Sequence, residues 1–194
     1  MSTVLITGAN RGLGLEFTRQ YGVDNWRVIA TCRNPDEAEE LHQIDGDINI
    51  YPLDVNDFAA IDETSELLKA EKIDILLNNA GVLGSQKMSF GETQFDNWAE
   101  ILRINTLAPL KMVESFLDQI VSSEQKKIIS ISSLLGSINA NNSGTQYAYR
   151  SSKAALNAVN KSLSVDLADK GAISVVVSPG WVRTDMGGPA ATVD

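Results

Sequence analysis

Val4-Leu5-Ile6-Thr7-Gly8-Ala9-Asn10-Arg11-Gly12-Leu13-Gly14 is the stretch that decides the fold. Val4 to Ile6 is a short apolar run of the kind that forms strands buried on both faces. Beyond the glycines, Leu15-Glu16-Phe17-Thr18-Arg19-Gln20-Tyr21 carries apolar residues at helical spacing. Strand, glycine turn and helix start are the surroundings that a dinucleotide phosphate requires. Glycine lets the main chain turn tightly and approach the anion, and a helix N-terminus offers it unpaired N–H groups. The glycine spacing is G-x-x-x-G-x-G rather than G-x-G-x-x-G, so the general dinucleotide fingerprint is not matched literally.

Working outward, apolar runs at 3–6, 27–31, 48–53, 73–77, 127–132 and 173–177 alternate with helical patterns near 12–22, 35–43, 57–70, 94–122 and 147–169. This alternation predicts an α/β fold: a doubly wound parallel sheet (Rossmann) of six strands, in a single domain spanning 1–194. Ile6 runs into Thr7-Gly8, Leu77 into Asn78-Asn79, Ile131 into Ser132-Ser133 and Val177 into Ser178-Pro179-Gly180. The carboxyl ends of parallel strands share one edge of the sheet, where ligands bind in such folds. Motifs distant in sequence are therefore expected to converge there.

Tyr149 and Lys153 add a second signal at the start of the last helical pattern. Four residues turn about 400° on a helix, so both side chains leave one face. Tyr147 lies six residues from Lys153, about 240° around, and does not share that face. A phenol ordinarily titrates near pH ~10, and a neighbouring ammonium favours its ionised form. The pair is thus expected to act as a proton donor near neutral pH.

Composition narrows the function classes. A protein of 194 residues, 43% hydrophobic, is long enough for one good core. The formal charge of −9 argues against a nucleic acid or an anionic membrane as partner. No apolar run approaches the roughly 18–20 residues needed to span a bilayer. The N-terminus lacks the pattern of a secretory signal, so a cytoplasmic location is expected. One cysteine, Cys32, excludes an intrachain disulfide and suits a reducing compartment. One cysteine and one histidine cannot build a zinc ligand set, so no metal site is expected. That histidine, His42, lies in an acidic stretch away from the motifs, which excludes a Ser-His-Asp hydrolase of familiar form.

Taken together, these motifs resemble the short-chain dehydrogenase/reductase family, whose glycine pattern is Thr-Gly-x-x-x-Gly-x-Gly. Asp54-Val55, Asn78-Asn79-Ala80-Gly81, Asn105, Ser132-Ser133, Tyr149 with Lys153, and Pro179-Gly180 followed by Thr184 stand in the family's order. Segments 147–167 and 181–188 resemble Sniffer-type and C-factor-like carbonyl reductases. The resemblance implies hydride transfer from NADPH to an aldehyde or ketone, a small-molecule carbonyl substrate. By the same resemblance Tyr149 is the proton donor, Ser133 orients the carbonyl, and Lys153 also bonds the nicotinamide ribose. Asn105 matches the residue that holds a water near the lysine.

The implied coenzyme contacts begin with Gly8, Asn10, Arg11, Gly12, Leu13 and Gly14. Asp54 and Val55 would meet the adenine, and Asn79, Ala80 and Gly81 lie by the adenosine ribose. Tyr149, Lys153, Pro179, Gly180, Val182 and Thr184 would hold the nicotinamide end. NAD-binding members carry an acid at the end of the second strand. Here that position is Cys32, followed by Arg33. Arg33 and Arg11 are suited to a forked contact with a 2′-phosphate, which points to NADP(H); the bland alternative is two solvated arginines. Asn78-Asn79 equally suits a strand-end turn, and Trp181 either lines the substrate cavity or packs. Met88, Leu135 and the 137–145 insert border the expected opening, the insert as a mobile loop.

Fourteen residues follow Gly180, where the family usually continues into a substrate-covering region and a seventh strand. That strand is expected to be missing and the domain to be short at its C-terminus, leaving the sixth strand as a bare apolar edge. A competing expectation follows: a C-factor-like nucleotide-binding signalling protein with little or no turnover. A sugar-nucleotide epimerase is disfavoured, because those relatives carry a larger C-terminal domain. Relatives often assemble through the regions 105–122 and 147–169, so a homodimer or homotetramer is expected.

Overall fold

A computed structural model describes residues 1–84 and 89–193, so Met88 lies outside the described residues. Six parallel strands form one sheet in the order β3-β2-β1-β4-β5-β6. They are β1 (Thr3–Thr7), β2 (Arg27–Cys32), β3 (Asp47–Pro52), β4 (Ile75–Asn78), β5 (Lys127–Ile131) and β6 (Ile173–Val177). The order reverses beside β1, which creates a crevice above β1 and β4. This is the doubly wound arrangement that the alternating pattern predicts. Central strands β1, β2 and β4 are buried almost throughout, in keeping with their continuous apolar runs.

Two apolar layers sandwich the sheet. On one face Leu5, Ile29 and Leu76 pack with Ile61, Met112, Phe116 and Leu167, from α3 (Phe58–Leu67), α5 (Ala108–Ser115) and the turns after α5 and α7 (Tyr147–Asp166). On the other face Val4, Ile6, Val28, Ala30 and Leu77 pack with Leu15 and Leu41, from α1 (Gly12–Val23) and the short α2 (Glu39–His42). Asp74 pins the amino ends of the strands, accepting from Thr3 N at 2.9 Å and Gln125 N at 3.2 Å.

Two helical expectations need correction. The stretch 35–43 is a 3₁₀ turn, Pro35–Glu37, followed by the single turn of α2. The stretch 94–122 is not one helix but α4 (Phe95–Leu102), a π-turn (Arg103–Leu107), α5 and α6 (Leu117–Val121). Pro109, in the first turn of α5, has no N–H to give the carbonyl of Asn105, so the α-helical ladder must be interrupted there. Among the described residues no seventh strand joins the sheet. The segment after β6 ties back on itself through a bridge between Val182 and Val193.

Candidate active site

The glycine turn is built where a side chain has no room. A Cβ on Gly14 would stand 2.2 Å from the Gly8 carbonyl oxygen and 2.6 Å from Asn79 Nδ2. Gly8 itself has φ +66° with its Cβ position 3.0 Å from Ala80 Cα, a left-handed geometry that favours glycine. Ala9 N donates to Thr31 O at 2.9 Å, tying the turn to the end of β2. Arg11, at the N-cap of α1, gives that helix no hydrogen bond from its side group, whereas α3 is capped by Asp57 Oδ1, which accepts from Ala59 N and Ala60 N. The first N–H groups of α1 are therefore left without a capping acceptor, a fit for a phosphate-bearing ligand.

Asn79 laces this turn from β4. Its Nδ2 donates to Thr7 O at 2.9 Å and Gly8 O at 3.0 Å. Thr7 Oγ1 in return accepts from Asn79 N and Ala80 N. The side-chain N–H groups of Asn79 are thus engaged across the crevice, and its Oδ1 is given no donor by these bonds. Beyond β2, Arg33 and Asp54 line one open groove of about 390 Å³ with Tyr51. Val55, Thr7 and Ala80 surround, with Asn78 and Met112, a gap too small to admit a water.

Ser133, Tyr149 and Lys153 come together at the carboxyl end of β5. The Ser133 hydroxyl lies near enough to the Tyr149 phenol to favour its ionised form, and its Oγ accepts from Leu135 N at 3.1 Å. Its neighbour Ser132 turns inward instead, donating to Asn157 Oδ1 at 2.6 Å. Lys153 Nζ lies 5.7 Å from the Tyr149 ring centroid and donates to Ile131 O at 2.7 Å. Burial pulls the ammonium down to about 8. Tyr149 departs from the sequence expectation. Burial raises its pKa, and the nearby Ser133 hydroxyl opposes that rise.

Asn105 sits in the π-turn, 1% exposed. Its Oδ1 accepts from Val82 N at 2.9 Å while its Nδ2 donates to Val82 O at 2.8 Å. A Cβ on Gly81 would lie 3.2 Å from Asn105 Oδ1 and 3.7 Å from Lys153 Nζ, so these three residues converge. Sequence reasoning missed Ser152, which links them to the tyrosine. Asn105 Nδ2 donates to Ser152 Oγ at 3.0 Å, and Ser152 Oγ donates to Tyr149 O at 2.8 Å. Its position three after Tyr149, on a helix's buried side, was the available signal.

The segment from Pro179 to Thr184 lies over the glycine turn. Thr184 Cγ2 is 3.3 Å from the Cβ position of Gly12, and Gly187 N donates to Thr184 Oγ1 at 3.2 Å. Val182 and Gly180 sit beside Val193. Trp181 is 52% exposed and donates to Gly187 O at 2.9 Å. The 137–145 insert is tied to its surroundings where Ser137 N donates to Leu134 O at 3.0 Å and Arg150 Nη2 donates to Ser143 Oγ at 2.9 Å. The glycine turn, the Ser-Tyr-Lys group and the 179–184 segment thus share one edge of the sheet.

The family model for short chain dehydrogenases matches residues 2–192. The protein belongs to that family of oxidoreductases. Within the short chain dehydrogenases, it resembles the carbonyl reductase Sniffer of D. melanogaster, 34% identical with a TM-score of 0.91, covering 100% of this chain and 86% of that one. An NADPH-bound carbonyl reductase from chicken fatty liver is 34% identical with a TM-score of 0.90, covering 99% and 80%. C-signal of Myxococcus xanthus is 41% identical over 121 residues, 62% of this chain and 72% of the relative.

Proposed function

We propose that the protein is an NADPH-dependent reductase of small aldehydes or ketones in which Tyr149 supplies the proton. The observation that carries this reading is the meeting of Ser133 and Tyr149 with a buried Lys153, whose Nζ lies 5.7 Å from the tyrosine ring, on the sheet edge that also carries the glycine turn. Likeness to the NADPH-bound carbonyl reductase supports the coenzyme and the reaction class. The turn of Gly8, Asn10, Arg11, Gly12, Leu13 and Gly14 would hold the pyrophosphate. Arg33 and Arg11 would take the 2′-phosphate, and Asp54, Val55, Asn79, Ala80 and Gly81 would line the adenosine side. Pro179, Gly180, Val182 and Thr184 would bound the nicotinamide. When bound, the coenzyme supplies the hydride.

The protein's own part is placement and proton delivery. Ser133 and Tyr149 hydroxyls would both point hydrogens at the substrate oxygen, stabilising negative charge as it develops. Tyr149 Oη would then release its proton to that oxygen. A raised pKa keeps the phenol protonated until then, and the ammonium of Lys153 would favour the phenolate left behind. Asn105 would keep Gly81 and Val82 in place beside the lysine. The alternative, a nucleotide-binding signalling protein with little turnover, rests on the C-signal likeness alone.

Following NADPH absorbance at 340 nm with a panel of carbonyl compounds tests the reading. Tyr149→Phe is expected to retain coenzyme binding and to lose about 10²–10⁴ in turnover, the usual range for a positioned acid. Unchanged turnover would remove Tyr149 from the role, and bound coenzyme with no oxidation by wild type would remove the reductase reading. A cytoplasmic location and assembly into a homodimer or homotetramer belong to the same proposal.

A further inference from the structure

Asp185 is a carboxylate beside a site suited to an anion. Arg11 Nη1 lies 3.2 Å from its Oδ2, joining residues 174 apart in sequence. The backbone on both sides of the pair is held in place. On one side Arg11 opens α1 within the laced glycine turn. On the other, Asp185 follows Thr184, whose methyl rests 3.3 Å from the Cβ position of Gly12. Gly188 N donates to Thr184 O at 2.8 Å, closing a turn around Asp185. Arg183 N donates to Val193 O at 2.8 Å, and Val193 N donates to Trp181 O at 3.0 Å. Asp185 thus stands at the tip of a self-tied loop, over the first turn of α1.

We propose that Asp185 is a positioning residue that competes with the coenzyme's 2′-phosphate for Arg11 and so sets how tightly the phosphorylated coenzyme is held. The proposal rests on the NADPH reading given above. A guanidinium forks onto phosphate as well as onto a carboxylate, and a phosphate dianion carries the larger charge, so a 2′-phosphate can take Arg11 from Asp185. A coenzyme with a free 2′-hydroxyl offers Arg11 nothing and leaves the pair intact. The carboxylate therefore opposes NADPH through a specific exchange of partners, and NADH hardly at all. Because the two side groups are 67% and 81% exposed, the effect is that of a solvated ion pair.

Titration of the full-length protein with NADPH and with NADH, read by tryptophan fluorescence or calorimetry, tests this. Asp185→Asn is expected to bind NADPH about two- to fivefold more tightly, the range an exposed ion pair supports, with NADH affinity unchanged. In an Arg11→Gln background the same change should do nothing, and in ~0.5 M salt its effect should shrink. NADPH affinity that stays the same or weakens in Asp185→Asn overturns the proposal. So does equal tightening toward both coenzymes, or tightening that survives in Arg11→Gln, since either result means plain charge repulsion. Wild-type protein that binds neither coenzyme overturns the NADPH reading and this inference together. Wild type that binds NADPH beside an unaltered Asp185→Asn overturns the inference alone.

Discussion

The two edges of the sheet are finished differently. At one edge, β3 reads Asp-Ile-Asn-Ile-Tyr-Pro, and Asp47 is paired with Arg27, which also reaches Glu71 at 3.0 Å. Charge, an amide and a proline are what a strand needs to end a sheet in water without recruiting another strand. At the other edge, β6 reads Ile-Ser-Val-Val-Val, with Ile173, Val175 and Val177 at 54%, 41% and 42% exposure. It has an interior strand's composition at a solvent-facing position. The contrast continues into the site. The half containing β1, β2 and β3 closes around the glycine turn through Ala9 N to Thr31 O, with Asn79 lacing it from just past β4. The half containing β5 and β6 carries the reacting groups beside a sparsely covered edge. Changes in the first half should cost fold and coenzyme together, and changes at the β6 edge should cost little of either.

Gly14→Ala presses hardest on that division. Its Cβ would collide with the Gly8 carbonyl and displace the Asn79 amide, both fixed groups rather than flexible side-group ends. Overpacking of this kind costs about 1–3 kcal/mol, and the displaced Asn79 bonds would add to it. We expect a lower melting temperature in thermal unfolding together with at least a tenfold loss of NADPH affinity. A variant that melts normally and binds normally would mean that the turn tolerates a side chain and the first half is not closed as described.

Lys153 gives a smaller effect that belongs to the reacting half. Its folded pKa, about 8, lies below the ordinary 10.5 because the charged form is buried. Between these values the unfolded protein binds more protons than the folded one, so stability rises with pH. Cys32 and Tyr149 oppose this further up. Burial raises both from ordinary values of 9.0 and 10.0, so above those values folding loses stability as pH climbs. The clean window is therefore pH 8 to 9, where chemical unfolding should show a gain of about 1 kcal/mol. Lys153→Met should flatten it, and a wild-type profile that falls across that window would show the ammonium to be better solvated than its burial implies.

How far the sequence reached follows the same division. The strands, their parallel direction and the glycine turn were legible because periodicity and glycine placement are local signals, whereas the order of the strands in the sheet was not. Tyr149, Lys153 and Ser133 were legible through spacing plus resemblance, and the structure brings them together. The hidden part was what each polar atom is engaged with. Lys153 donates to the Ile131 carbonyl, Asn79 is turned onto the glycine turn, and Ser152 joins Asn105 to the Tyr149 backbone carbonyl. Most of these partners come from elements roughly twenty to seventy residues away, and no local pattern encodes them. The π-turn was likewise masked by an unbroken apolar periodicity, although Pro109 carried its cause.

The smallest expected effect tests the bare edge itself. Val175→Lys places on β6 the residue type that natural edges use, at a position already 41% exposed. If the edge faces water, unfolding free energy should stay within about 0.5 kcal/mol of wild type. Assembly is expected instead across α5 and α7, where Ala158 is exposed and Ala154 and Ala155 are half-buried, so the mass from light scattering should not change either. A mass that halves in Val175→Lys would put the contact between copies on β6 and away from the helices. The apolar edge would then be an interface strand, and the asymmetry between the two edges would mark where one copy meets the next.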